Sequence, residues 1–154
     1  MSADDPNPTE VVNASGKSAF VLTCEHAGRA IPSRLGDLGI DAAKFERHIT
    51  KDRLCLVGAL FNKDRTLADL FLRAFAAANP SIRVAENEPY RVDNMSDYTI
   101  PIHGEARGIP HLLLEIRNDQ IGQAGDQARW ARLLTDALTA AAAMMHEKGA
   151  IDVQ

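Results

Sequence analysis

Three short apolar runs constrain the fold of this chain more than any other feature: residues 19–24 (Ala-Phe-Val-Leu-Thr-Cys), 54–61 (Leu-Cys-Leu-Val-Gly-Ala-Leu-Phe) and 111–117 (His-Leu-Leu-Leu-Glu-Ile-Arg). Runs of this length suit interior strands of a parallel or mixed sheet, covered on both faces. The segments between and after them carry a different period. Leu67, Leu70, Phe71, Ala74, Phe75 and Ala78 recur at helical spacing from Thr66 and stop at Asn79-Pro80. A second helix is predicted from about Asp126 to Lys148, with Trp130, Leu133, Leu134, Leu138, Ala141 and Met145 along the face expected to pack on the sheet. Asp41 can cap a helix through Phe45 and Ile49, and residues 81–85 read as a further short strand. Residues 86–108, with Asn87, Pro89, Asn94, Pro101, Gly104 and Gly108, read as loop. Strands alternating with helices predict an α/β fold, a mixed or mostly parallel sheet flanked by helices.

The 154 residues fit one domain. Residues 1–17 hold Pro, Asn, Ser, Gly and acidic side chains and are expected to form a disordered leader, with a single domain over 18–154. With 17 Lys plus Arg against 21 Asp plus Glu, the net charge is −4, so there is no basic surplus for a nucleic acid partner. No apolar run reaches the roughly 18 residues that span a bilayer, and the start lacks a signal-peptide pattern, so no membrane partner and a cytoplasmic location are expected. Cys24 and Cys55 are too few for a disulfide scaffold and are expected to be buried, reduced thiols.

Chemistry gathers at the ends of the apolar runs. Glu25-His26 follows the first run, where α/β sheets place their ligands. His103-Gly104 lies in the glycine-rich loop, and Glu115 sits inside the third run with Arg117 two residues on. A glutamate among leucines is rarely buried without a partner, so either Arg117 neutralises it or it works chemically. His48, Arg83 and Arg91 read as solvated groups, and His146 as a cation suited to a helix C-terminus. No His-x-x-x-His pair, nucleophile elbow or phosphate-binding glycine loop is present. Dispersed His, Glu and Arg of this kind are coherent with metal-assisted amide hydrolysis: imidazole and carboxylate ligands, a carboxylate base, and a bidentate grip on a substrate carboxylate.

In order along the chain, Cys24-Glu25-His26-Ala27-Gly28-Arg29-Ala30-Ile31-Pro32, Glu46-Arg47-His48-Ile49, Asn87-Glu88-Pro89-Tyr90, Asp97-Tyr98-Thr99-Ile100-Pro101, His103-Gly104 and the run from His111 to Arg117 resemble the N-formylglutamate amidohydrolase family. The resemblance spans about residues 19 to 140. It implies a zinc-dependent hydrolase of zinc-carboxypeptidase-like α/β fold, cutting N-formyl-L-glutamate to formate and glutamate in histidine breakdown. It further implies His26 as a metal ligand, Asp52 as a second one, and Glu115 as the residue that activates water. Arg117, Tyr90, Thr99, His103 and Gly104 would bind a small carboxylated substrate. The chain departs from the family pattern at two places: Lys51 stands where a tryptophan is usual, and the long central segment, with its arginine-rich loop and Ser-Ile-His motif, is missing. The resemblance is therefore to a shortened member of that family. A catalytic zinc normally has three protein ligands, and either His103 or His111 is a candidate replacement for the missing histidine.

Two readings follow from the residues and the resemblance together. One is a metal-assisted hydrolase of N-formyl-L-glutamate or a related N-acyl amino acid. The other is a catalytically inactive shortened member that binds a carboxylate or associates with its own copy. Loss of interior strands exposes sheet edges, so the chain is expected either to re-pair its remaining strands or to associate with another copy as a homo-oligomer.

Overall fold

A strand of four residues without a single polar side chain, Val57–Leu60, forms the centre of the folded unit. In the computed structural model, which describes residues 5, 7, 9–24, 31–39 and 56–147, this strand (β1) is fully buried. It has neighbours on both sides. β2 (Val84–Glu86) runs parallel to it, with Val57 opposite Val84, and β3 (Leu113–Ile116) runs antiparallel, with Val57 opposite Ile116 and Leu60 opposite Leu113. The sheet is therefore mixed, in the order β2-β1-β3, and the α/β expectation holds. A parallel pair needs a crossover, and helix α1 (Thr66–Ala78) supplies it between β1 and β2.

Helix α1 forms because its apolar residues repeat on one face: Leu67, Leu70, Phe71 and Phe75 are buried. Asp64 Oδ1 accepts the Thr66 amide at 2.8 Å, satisfying one of the free donors of the first turn. The Arg65 guanidinium bridges Asp69 and Glu86 and lies 5.0 Å from the centre of the Phe61 ring. At the other end the Asn79 backbone and side chain both donate to the Phe75 carbonyl, and Pro80 follows.

Helix α2 (Ala124–Glu147) buries Trp130, Ala137, Ala141 and Met145. It packs chiefly against α1, not on the sheet as its sequence suggests, with the Phe75 and Trp130 rings stacked at 6.2 Å. The reason is visible in α1: Phe71 and Phe75 are large enough to offer α2 its own apolar surface. A smaller cluster of Leu60, Val92 and Ile100, with Leu113 against it, anchors the long segment between β2 and β3. That segment is more regular than the loop the sequence predicts. It contains a π-helical turn, Thr99–Gly104, running into a 3-10 turn, Glu105–Arg107, which ends at Gly108 with φ of 64°. A cis peptide joins Glu88 to Pro89.

The chain divides into two units, Met1–His48 with Val153 and Ile49–Asp152 with Gln154. In the first, a 3-10 turn Ser33–Leu35 has its leading amide bonded to Asp5 at 2.7 Å. Residues 19–24, expected to be an interior strand, form no strand: Val21 is 90% and Leu22 81% exposed. Cys24, expected to be a buried thiol, is free and exposed. A strand holds only where a neighbouring strand pairs with its backbone, and among the described residues none pairs with this run, whose Phe20 amide turns instead to the nearby Ser18 hydroxyl at 3.1 Å. The expected helix after Asp41, along with His48 and Cys55, lies outside the described residues. Among the described residues, no helix is long and apolar enough to cross a membrane.

Candidate functional site

Antiparallel pairing of β1 with β3 sets Gly58 opposite Glu115. Gly58 is needed there for a second reason: a Cβ on it would overlap the Glu88 carbonyl oxygen, because the chain after β2 crosses close over β1. Asn87 directs that crossing. It adopts a left-handed conformation (φ 48°), donates its amide to the Ala59 carbonyl at 3.0 Å and accepts the Phe61 amide on Oδ1 at 3.0 Å. The Asn-Glu-Pro-Tyr stretch is thereby tied to β1, and the Tyr90 hydroxyl donates to Glu115 Oε1 at 3.3 Å.

Glu115 is half-buried, with Tyr90 exposed beside it. Arg117 follows as β3 ends, its amide bonded to the Leu56 carbonyl at 3.0 Å. Its guanidinium takes Asp119 in a two-pronged grip, Nε to Oδ1 at 2.6 Å and Nη2 to Oδ2 at 2.8 Å, which holds the Asp119 carboxyl below its ordinary range. A half-buried carboxylate with a phenol at its oxygen and a guanidinium two residues on can take a proton from water. It also offers a planar cation to a substrate carboxylate.

The remaining expected substrate residues form a second group on the π-helical turn. Thr99 is half-buried, His103 is exposed with its ring edge-on to Tyr98 at 5.5 Å, and Gly104 is buried. Gly104 has no room for a side chain: its Cβ would stand 2.6 Å from the His111 ring. Arg83 and Arg91 are exposed, as the sequence suggests, and His146, also exposed, lies in the last turn of α2.

A residue that sequence reasoning misses lies directly after this turn. Glu105 is almost wholly buried and accepts the Lys63 amide at 2.6 Å and the Asn62 side chain at 3.1 Å, fastening the turn to the loop between β1 and α1. Burial pushes its pKa up, but hydrogen bonds from the Lys63 and Asp64 backbone and from Asn62, with the Lys63 ammonium, bring it below the ordinary value. Asp64 is also lowered: burial raises it, and the Thr66 hydrogen bonds and the charge of His111 outweigh that. Neither acid sits in a periodic run. The one sequence signal for Glu105 is a carboxylate between two glycine-containing turns. Glu105, Asp64, Lys63, Asp97, Ile102 and His111 all line a cavity of about 570 Å³.

His26 and Asp52, the expected metal ligands, lie outside the described residues. Among the described residues no three His, Cys, Asp or Glu side chains are grouped closely enough to hold an ion, so these residues alone do not make a zinc centre.

The N-formylglutamate amidohydrolase family model matches residues 50–122, a range that contains β1, α1, β2, β3, Tyr90, Glu105, Glu115 and Arg117. Among solved structures the chain is similar to the crystal structure of gene product Atu2144 from Agrobacterium tumefaciens, with a TM-score of 0.57 and 30% sequence identity. That likeness covers 62% of this chain and 37% of the other, so this chain accounts for little more than a third of the protein it resembles. No curated protein sequence matches the chain significantly. The half-buried glutamate on β3, the turn that brings Tyr90 to it and the sheet that carries both thus lie in the segment, residues 50–122, that the N-formylglutamate amidohydrolase family model matches.

Proposed function

We propose that the protein is an amidohydrolase of the N-formylglutamate amidohydrolase type, cleaving N-formyl-L-glutamate or a related N-acyl amino acid to formate, or the corresponding acid, and the free amino acid. The observation that carries this reading is the position of Glu115: half-buried, opposite Gly58, with the Tyr90 hydroxyl at 3.3 Å, inside the matched segment. In the reaction, water oxygen bonds to the acyl carbon while the C–N bond breaks. Glu115 takes the proton from water and returns it to the departing amine. Arg117 holds a substrate carboxylate by exchanging Asp119 for it, and Tyr90, Thr99, His103 and Gly104 orient the remainder.

Zinc belongs to this proposal through His26 and Asp52, on the strength of the sequence resemblance, and the chemistry it supplies when bound is polarisation of the carbonyl. By the same reading the reaction belongs to histidine breakdown in the cytoplasm.

The test is formate release from N-formyl-L-glutamate by the full chain, with zinc supplied and bound metal counted. Formate release, with about one zinc per chain lost on His26→Ala, is the expected result. A folded chain that binds no zinc and releases no formate overturns the proposal in favour of an inactive, carboxylate-binding or self-associating module.

A further inference from the structure

We propose that Asp119 is a built-in competitor at the carboxylate site: with no ligand bound it fills the Arg117 fork as an incoming carboxylate would, and so sets how tightly that carboxylate is held. The inference rests on the reading of Arg117 as the group that binds a substrate carboxylate, and adds a residue that controls its affinity. Asp119 accepts two parallel hydrogen bonds from the guanidinium, Nε to Oδ1 at 2.6 Å and Nη2 to Oδ2 at 2.8 Å. This is the paired geometry in which a guanidinium takes a free carboxylate, so Asp119 and a substrate acid need the same two hydrogens.

The surroundings of the two partners favour an exchange. The Arg117 side chain is 25% exposed, and a largely covered guanidinium needs a counter-charge whenever its site is empty. Asp119 is 53% exposed on the 3-10 turn Asn118–Gln120, and Gln120 Nε2 donates to its Oδ2 at 3.1 Å. Once released, the Asp119 carboxylate keeps the Gln120 bond and gains water, while Arg117 passes from one carboxylate to another. The turn stands on its own backbone bonds, from the Gln120 amide to the Arg117 carbonyl at 2.9 Å and from the Ile121 amide to the Asn118 carbonyl at 3.1 Å. An uncharged amide offers a single acceptor oxygen, which does not offset the loss of both bonds, so it leaves Asp119 in place.

The experiment titrates glutarate, a short dicarboxylate, into the full chain by calorimetry, with glutaramide as the uncharged control and with Asp119→Asn, Arg117→Gln and the double variant alongside. Asparagine keeps the size of Asp119 and removes its charge. Asp119→Asn is expected to bind glutarate roughly two- to fivefold more tightly, the range of an exposed ion pair, with no change for glutaramide and no effect in the Arg117→Gln background. Where formate is released from N-formyl-L-glutamate, the same variant lowers KM and keeps kcat, and a lower kcat at unchanged KM overturns the proposal. Glutarate binding that Arg117→Gln abolishes upholds Arg117 as the carboxylate group whether or not the chain turns substrate over. Equal or weaker binding by Asp119→Asn then overturns the competitor role alone, since Asp119 would be holding Arg117 in place or the ligand would be taking the other edge of the guanidinium. No glutarate binding in either the parent chain or Asp119→Asn overturns the proposal together with the role of Arg117.

Discussion

Strand β1 and the segment 19–24 are built from similar side chains, yet one is the buried centre of a sheet and the other, apart from the half-buried Phe20, is exposed. Around β1, β2 and β3 take up the backbone on both edges, and α1 lies against the sheet. Around Val21 and Leu22 the described residues supply neither. The difference teaches that an apolar run specifies a strand only together with the partners that pair its amides and cover its side chains. It also explains where the candidate site forms. Glu115 is placed by the register of β3 on β1, and Tyr90 by the turn that Asn87 fastens to β1, so both depend on pairing.

Mutations at equivalent side chains break this comparison most directly. Leu60→Ala removes a fully buried side chain from the centre of the sheet and is expected to cost about 2–5 kcal/mol by denaturant unfolding. A cost below 1 kcal/mol would show that β1 is not the packed centre described. Gly58→Ala comes next, at about 1–3 kcal/mol, because the new methyl group meets the Glu88 carbonyl. It should also lower turnover by parting Tyr90 from Glu115, and an unchanged melting curve would contradict the close crossing.

Acid sharpens the comparison at the turn that fastens the site. Glu105 has its folded pKa held below its ordinary 4.5, and Asp64 below 3.8, so each contributes stability that is present above those values and lost as pH falls through the folded pKa. Unfolding free energy should therefore decline below about pH 4.5, and Glu105→Gln should flatten part of that decline. An equal slope in the variant would remove Glu105 from the acid response. The smallest effect belongs to the other apolar run: Leu22→Ala, at an 81% exposed side chain, is expected to change stability by less than about 0.5 kcal/mol. A loss comparable to that of Leu60→Ala would mean that residues 19–24 are packed after all.

What the sequence reveals follows the same division. The boundaries of α1 can be read from Leu67, Leu70, Phe71 and Phe75 because a 3.6-residue period repeats, with Asn79-Pro80 as a stop. β1 and β3 are legible as apolar runs, and Glu115 is conspicuous as a charge among leucines. The helical turns over residues 99–107 are not, because they are held by single polar contacts such as Glu105 on the Lys63 amide, which have no period. The packing of α2 on α1 is hidden for a related reason. A helical stripe shows which face is buried, and only the rings of Phe75 and Trp130 in three dimensions show against what.

The central claim, that Glu115 moves the proton in amide hydrolysis, is tested most directly by comparing kcat for N-formyl-L-glutamate in the parent chain and in Glu115→Gln, with unfolding curves alongside. The account predicts a fall of about 10²- to 10⁴-fold in kcat with folding largely intact. Unchanged turnover in a folded Glu115→Gln chain would contradict it.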